Sequence, residues 1–300
     1  MNPPKTLLIS FVRTFWHSLW LTMMQQLAPS DDQGKYQRSA SQFRGTIEGN
    51  AESGRYHLYV GMSCPWAHRA LIVRAIKGLQ EFVPVTILVP NASTGGWVFQ
   101  PVQHDCSTLA QFYRLNQPNY RAKATVPLLW DSWQKQIVNN ESSEIIKLLN
   151  GHFPGDVDFY PASLEKEIEQ WNAKIYPAIN NGVYLCGFAR TQAAYQDACQ
   201  KLFQTLDEIE LVLSRQRYLC GESLTLADIR LFTTLFRFDA VYYSLFKCSI
   251  KRIADYPNLS RYLSDIYNLP EVATTCNLEQ VKKDYYGQLF PLNPSGIVPL

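Results

Sequence analysis

The hydrophobic pattern of this chain changes once, near residue 150, and that change limits the folds it can adopt. Before it, segments of strand period alternate with segments of helix period. Gly54 to Val60 (GRYHLYV) alternates and is rich in aromatic and β-branched residues, so it reads as a strand. Ala67 to Leu79 (AHRALIVRAIKGL) repeats at i, i+3 and i+4 and reads as a helix. Val83 to Val89 is a second strand, and residues 91–122 form a long irregular insertion. TVPLLWD (Thr125 to Asp131) and QIVNN are further strands, and Glu141 to Asn150 is a helix opening on acidic and hydroxyl residues. The order is β-α-β, a gap, then β-β-α.

A Gly/Pro/Asp-rich stretch, GHFPGDVDFYP, follows, and from Ser163 onward every strong segment is helical. Thr225 and Asp228 in TLAD fit a capping box. The expected organisation is an N-terminal arm over 1–50, an α/β domain over 51–150, a linker over 151–162, and an all-α domain over 163–300 with an extended tail.

Composition excludes several function classes. The 300 residues carry 28 Lys plus Arg against 26 Asp plus Glu, and no basic run, so no nucleic-acid partner is expected. The seven cysteines form no Cys-x-x-Cys pair and no Cys/His cluster with zinc spacing, so no metal is expected. An odd number of dispersed cysteines points to reduced thiols and a cytoplasmic setting. TLLISFVRTFWHSLWLTMM is interrupted by Arg13 and His17 and falls short of a membrane span. Leu8, Phe11, Val12, Phe15, Leu19 and Met23 recur at helical spacing, which predicts an amphipathic arm packed on the protein or on a partner subunit.

The residue that carries chemistry is Cys64, in GMSCPWAHR. It follows a strand and precedes Pro65, which suits a first helical position. A thiol at a helix N-terminus is expected to ionise below the roughly 8.5 of a free cysteine. His68, one turn on, reads as a packing or hydrogen-bonding residue. Ala67 stands where a resolving cysteine would, so Cys64 has no local disulfide partner and needs an external thiol, glutathione being the abundant cytosolic candidate. Pro127, opening the β-β-α half, completes a thioredoxin-like layout in which such a proline lies beside the helix-start thiol.

The chain resembles the glutathione transferases, and more narrowly their Xi class, the glutathionyl-hydroquinone reductases, with some likeness to the cyanobacterial branch. The matching stretches include GRYHLYVGMSCPWAHRALIVRAIKGL, ATVPLLWD, IVNNESSEIIKLLN, NNGVYLCGFARTQAAY, RYLCGESLTLADIRLFTTLFRFDAVYYSLFKC and NPSGIVP. They run in order from about Arg55 to the C-terminus. The resemblance implies a thioredoxin-like domain followed by an all-helical one, usually in a homodimer. It implies Cys64 as the nucleophile. Glu141 and Ser142 would hold the γ-glutamyl end of glutathione, and Val126, before Pro127, would pair its backbone with the cysteinyl group. Trp97 would cover the tripeptide. Lys123 stands where the family usually has Arg, keeping the charge but losing the bidentate fork. Tyr195, Tyr242 and Tyr285 match the family's aromatic pocket residues, which would stack on and hydrogen-bond a hydroquinone ring. The family's usual His before the Tyr pair and its Ser-His after are replaced here by Asp284, Gln288 and Leu289.

The reaction so implied is glutathione-dependent reduction of a glutathionyl-hydroquinone through a mixed disulfide on Cys64. A general thioltransferase or dehydroascorbate reductase needs the same thiol without the tyrosines. A non-catalytic sensor glutathionylated at Cys64 needs the thiol alone.

Overall fold

The structure, a computed structural model, describes residues 5–49, 51–91, 93–94 and 96–300. The chain opens with α1 (Lys5–Leu27), then β1 (Tyr56–Val60), α2 (Pro65–Ile76), β2 (Val85–Ile87), β3 (Val89–Asn91), β4 (Gly96–Gln103), β5 (Cys106–Thr108) and α3 (Leu109–Asn116). Next come β6 (Leu128–Asp131), β7 (Gln136–Asn139) and α4 (Ser142–Gly151). The remainder is helical: α5 (Glu165–Ile175), α6 (Gly182–Gly187), α7 (Gln192–Leu213), α8 (Leu226–Arg237), α9 (Pro257–Tyr267), α10 (Pro270–Ala273) and α11 (Leu278–Gln288). Short π-helical turns, Tyr176–Asn180 and Phe238–Tyr242, follow α5 and α8.

The main sheet has the order β2-β1-β6-β7. β1 runs parallel to β2 and antiparallel to β6, so Leu58 stands between Val85 and Leu129. A strand covered on both faces must be apolar on both, and Leu58, Tyr59 and Val60 are all buried. This is the thioredoxin-like layout with an all-helical half after it.

The stretch 91–122 is not irregular. β3, β4 and β5 pair as a second antiparallel sheet, and α3 follows with a Thr108–Gln111 capping box. The strands are short, and the β4–β5 turn places His104 and Asp105 at positive φ without glycine, so the usual hairpin signal is missing. The insertion covers the second face of the main sheet. Phe112 lies 4.6 Å from Trp130 and 5.1 Å from Tyr59, ring centre to ring centre.

In the helical half the capping box forms as the TLAD motif predicts. Asp228 accepts from the Thr225 N–H at 2.8 Å and its hydroxyl at 2.7 Å. Buried Asp228 also accepts from the Leu219 N–H at 2.8 Å and the Tyr262 hydroxyl at 3.0 Å, tying three segments to one carboxylate.

The arm behaves as two pieces. From Trp20, whose indole N–H donates to the Pro291 carbonyl at 2.9 Å, to buried Met24 and Ala28, it packs on the body. Before that, Leu8, Phe11, Val12, Phe15 and Leu19 remain exposed. The expected packing of α1 on its own subunit therefore holds only for its last turns. No described helix is long and apolar enough to cross a membrane. Beyond α1 the arm runs along β7, with Gly45 N–H donating to Val138 at 2.8 Å, and so protects that sheet edge.

Candidate active site

Cys64 occupies the N-cap of α2, with Pro65 at the first helical position. Its own N–H donates to the Gly61 carbonyl at 3.0 Å, which closes the turn GMSC, and its carbonyl accepts the first helical bond from His68 at 3.0 Å. The sulfur therefore faces free N–H groups at the helix start. Gly61 is required for a different reason. A Cβ there would lie 2.1 Å from the Trp97 ring, so only glycine lets the indole of β4 rest on this turn.

Burial pushes the Cys64 thiol above its ordinary value, while the N–H groups of Ala67 and Trp66 and the charges of Arg237 and Arg38 pull it down. The fall expected from the helix start alone leaves out this burial. The thiol donates to the Val126 carbonyl at 3.4 Å, which also favours its neutral form. Part of the residue nonetheless stays open to the cleft.

That cleft is a cavity of about 390 Å³ between the two halves. Cys64, Trp97, Lys123, Val126, Glu141 and Ser142 line it, and Pro127 follows across a cis Val126–Pro127 bond. Glu141 caps α4. Its carboxylate accepts from the Ser143 N–H at 3.2 Å and hydroxyl at 3.0 Å, and from the Ser41 hydroxyl of the arm at 2.9 Å. Burial raises its pKa, but these bonds and the Arg69 charge outweigh burial and hold it below the usual carboxylate range. Ser142 accepts from the Arg69 guanidinium at 3.3 Å. Arg69 also donates to Asn180 at 2.8 Å, and Asn180 donates to Arg230 O and Thr234 Oγ1 on α8. The helical half thus fixes the start of α4. Burial and Arg38 lower the Lys123 ammonium, and Cys64 opposes them.

The arm supplies residues that the sequence did not point to. Arg38 lines the cavity and lies 4.1 Å above the Trp66 ring, with Arg69 4.5 Å from the same ring. Each such contact contributes about 0.5–2 kcal/mol.

The tyrosines need one correction. Tyr195 does not line the cleft. It sits half-buried on α7 and donates to the Lys247 carbonyl at 2.6 Å, away from the residues that line the cavity. The tyrosine of NNGVYLCGFARTQAAY that reaches the cleft is Tyr184 on α6, with Phe188 beside it. Its hydroxyl is 2.7 Å from that of Tyr285, which is 3.1 Å from that of Tyr242. Tyr184 and Tyr285 line the cavity, and Tyr242, wholly buried, stands behind Tyr285. Burial raises all three phenols, so each stays protonated and able to donate. Gly187, at the end of α6, has no room for a Cβ, which would clash with the Phe246 ring packed against it. Asp284 and Gln288 on α11 and Leu289 at its C-cap, the departures from the family pattern, line the same wall. The described residues hold no His/Cys/Asp/Glu group arranged for a metal.

His68 is buried in a hydrogen-bond chain. Arg237 can only donate, so at 3.0 Å His68 Nδ1 accepts; Nε2–H then donates to Thr275 Oγ1 at 2.9 Å. Burial, then the Arg237 charge, lowers its pKa well below the ordinary value and keeps it neutral.

Comparison with known proteins gives a consistent result. Family models match residues 63–151 (Glutathione S-transferase, N-terminal domain) and 192–265 (Glutathione S-transferase, C-terminal domain). A glutathionyl-hydroquinone reductase of Sphingobium chlorophenolicum is 47% identical over 282 residues, covering 89% of this chain and 90% of that protein. The crystal structure of the Xi glutathione S-transferase from Phanerochaete chrysosporium gives a TM-score of 0.87 at 42% identity, covering 90% of this chain and 94% of that one. A glutathione-bound transferase homolog from Escherichia coli K-12 gives a TM-score of 0.82 at 41% identity, with 86% and 92% covered.

Proposed function

Because this chain belongs to the glutathionyl-hydroquinone reductases, the Xi class of glutathione transferases, we propose a route for its chemistry through Cys64. The enzyme reduces glutathionyl-hydroquinones to hydroquinones with glutathione as co-substrate. The Cys64 thiolate attacks the glutathionyl sulfur of the aryl thioether. The ring carbon–sulfur bond breaks, the ring carbon takes a proton, and a disulfide forms between Cys64 and glutathione. A second glutathione thiolate attacks that disulfide, releasing glutathione disulfide and the Cys64 thiolate. The ring carbon gains the two electrons that the two glutathione thiols lose.

Two groups flank this chemistry. Glu141, Ser142 and the Val126 backbone hold glutathione, with Trp97 over it and Lys123 near its far carboxylate. Tyr184 and Tyr285, backed by Tyr242, bind the ring and move its proton; the three linked hydroxyls suit that role. Support comes from one observation: the thiol and the hydroxyl cluster line the same cleft. All seven cysteines are unpaired, in keeping with a reducing cytoplasm. The exposed apolar side chains of α1 favour a homodimer.

The test is turnover of a model glutathionyl-hydroquinone. Cys64→Ser is expected to lose on the order of a thousandfold or more while staying folded. A wild type that is inactive here yet reduces dehydroascorbate would sink the hydroquinone assignment.

A further inference from the structure

Arg237 is a buried cation with no anion beside it. It ends α8, just where the π-helical turn Phe238–Tyr242 begins, and is 1% exposed. Among the described residues no carboxylate forms an ion pair with it. Its donors go to neutral acceptors: Nε to the Ser63 carbonyl at 3.0 Å, Nη2 to the Met62 carbonyl at 3.1 Å, and Nη1 to the Thr233 carbonyl and His68 Nδ1 at 2.9 and 3.0 Å. Four of its five N–H donors are thus matched, each by a neutral group, and its charge by none. An uncompensated buried charge costs several kcal/mol, so a fold retains one only where something offsets it.

The contacts show where the charge acts. Met62 and Ser63 are the two residues before Cys64, so Arg237 grips the backbone of the turn that presents the sulfur. His68, held neutral, adds no second charge. We propose that Arg237 is a positioning residue that fixes this turn and supplies the buried positive charge against which the Cys64 thiolate forms. The inference rests on Cys64 being the nucleophile, and it assigns that residue's activation to the helical half as well as to the start of α2.

The other groups around Cys64 do not replace this charge. Arg38 also pulls the thiol down but sits on the exposed arm, where solvent screens it, and burial disfavours the charge of Lys123. Tyr184, Tyr242 and Tyr285 stay protonated and offer dipoles only. Asp284, across the cleft, and Glu141, capping α4, are acidic residues and bring no positive charge to it. Arg69 faces Ser142 and Asn180.

The experiment is the pH dependence of iodoacetamide alkylation at Cys64, read by peptide mass, with Cys64→Ser marking label taken by part-exposed Cys276. Arg237→Gln keeps hydrogen-bond donors without charge, and Arg237→Lys keeps the charge. In Arg237→Gln the midpoint should rise by about one unit, giving roughly tenfold slower alkylation below the midpoint and an unchanged plateau above it. Arg237→Lys should stay near the wild type. An unshifted midpoint in folded Arg237→Gln overturns the proposal. Should that variant not fold, an Arg237→Lys midpoint that rises by a unit overturns it instead, and one near the wild type upholds it. Failure of wild-type Cys64 to alkylate at any pH would break the nucleophile reading itself, a result distinct from an insensitive midpoint.

Discussion

The two walls of the cleft are built in opposite ways. On the α/β side each functional group belongs to a local motif. Cys64 and Pro65 start α2, Glu141 and Ser142 start α4, and Val126 precedes Pro127. On the helical side Tyr184, Tyr242 and Tyr285 come from α6, the turn after α8, and α11, and meet only through tertiary packing. A helix start orients its own groups within one turn. A hydroxyl cluster drawn from three elements depends on every packing contact that sets them.

That contrast can be broken first at Asp228, far from the cleft. Removing its carboxylate leaves the donors of Thr225, Leu219 and Tyr262 unmatched, so Asp228→Ala should cost about 3 kcal/mol of stability. Chemical denaturation measures this, and Cys64 alkylation below the transition should be unchanged. A loss under about 1 kcal/mol would mean α8 is held some other way.

The hydroxyl cluster comes next. Tyr184→Phe should lower kcat about a hundredfold with glutathione affinity intact, the scale of a positioned proton donor. Tyr195→Phe should stay within about threefold, since its partner is a carbonyl remote from the cleft. The reverse ranking would restore Tyr195 to the site. On the opposite wall, Gly61→Ala forces Trp97 off its turn and should raise KM for glutathione about tenfold, with a smaller change in kcat.

The smallest effect is global. His57 is half-buried in the α/β half, and its pKa falls from 6.5 to about 4, chiefly through that burial, with His104 and Arg74 adding to it. On acidification the unfolded chain takes up a proton near 6.5 while the folded His57 does not until about 4. Stability therefore falls with pH through that window. Denaturation midpoints of His57→Gln should show a shallower decline than the wild type there; parallel curves would contradict the assignment.

The same contrast explains what the sequence discloses. The strand–Cys–Pro–helix junction, the Glu141–Ser142 helix start and the Thr225–Asp228 box are local, and their residue types state their geometry. Tyr184 and Tyr195 lie in one matched stretch, and nothing local separates them. Tertiary packing separates them: Tyr184 lines the cleft, whereas the Tyr195 hydroxyl donates to the Lys247 carbonyl. The sheet within 91–122 has no clear sequence signal because two of its strands are three residues long and its tight turn lacks glycine. The raised thiol of Cys64 reflects burial by segments far along the chain, and Arg237 reads in sequence as one more residue of an amphipathic helix.

The most direct test of the account is intact-protein mass after one equivalent of glutathionyl-hydroquinone is mixed with enzyme in the absence of free glutathione. A single glutathione adduct on Cys64, formed in step with released hydroquinone and removed by added glutathione, is the predicted result. Hydroquinone released without an adduct, or by Cys64→Ser at the wild-type rate, would contradict it.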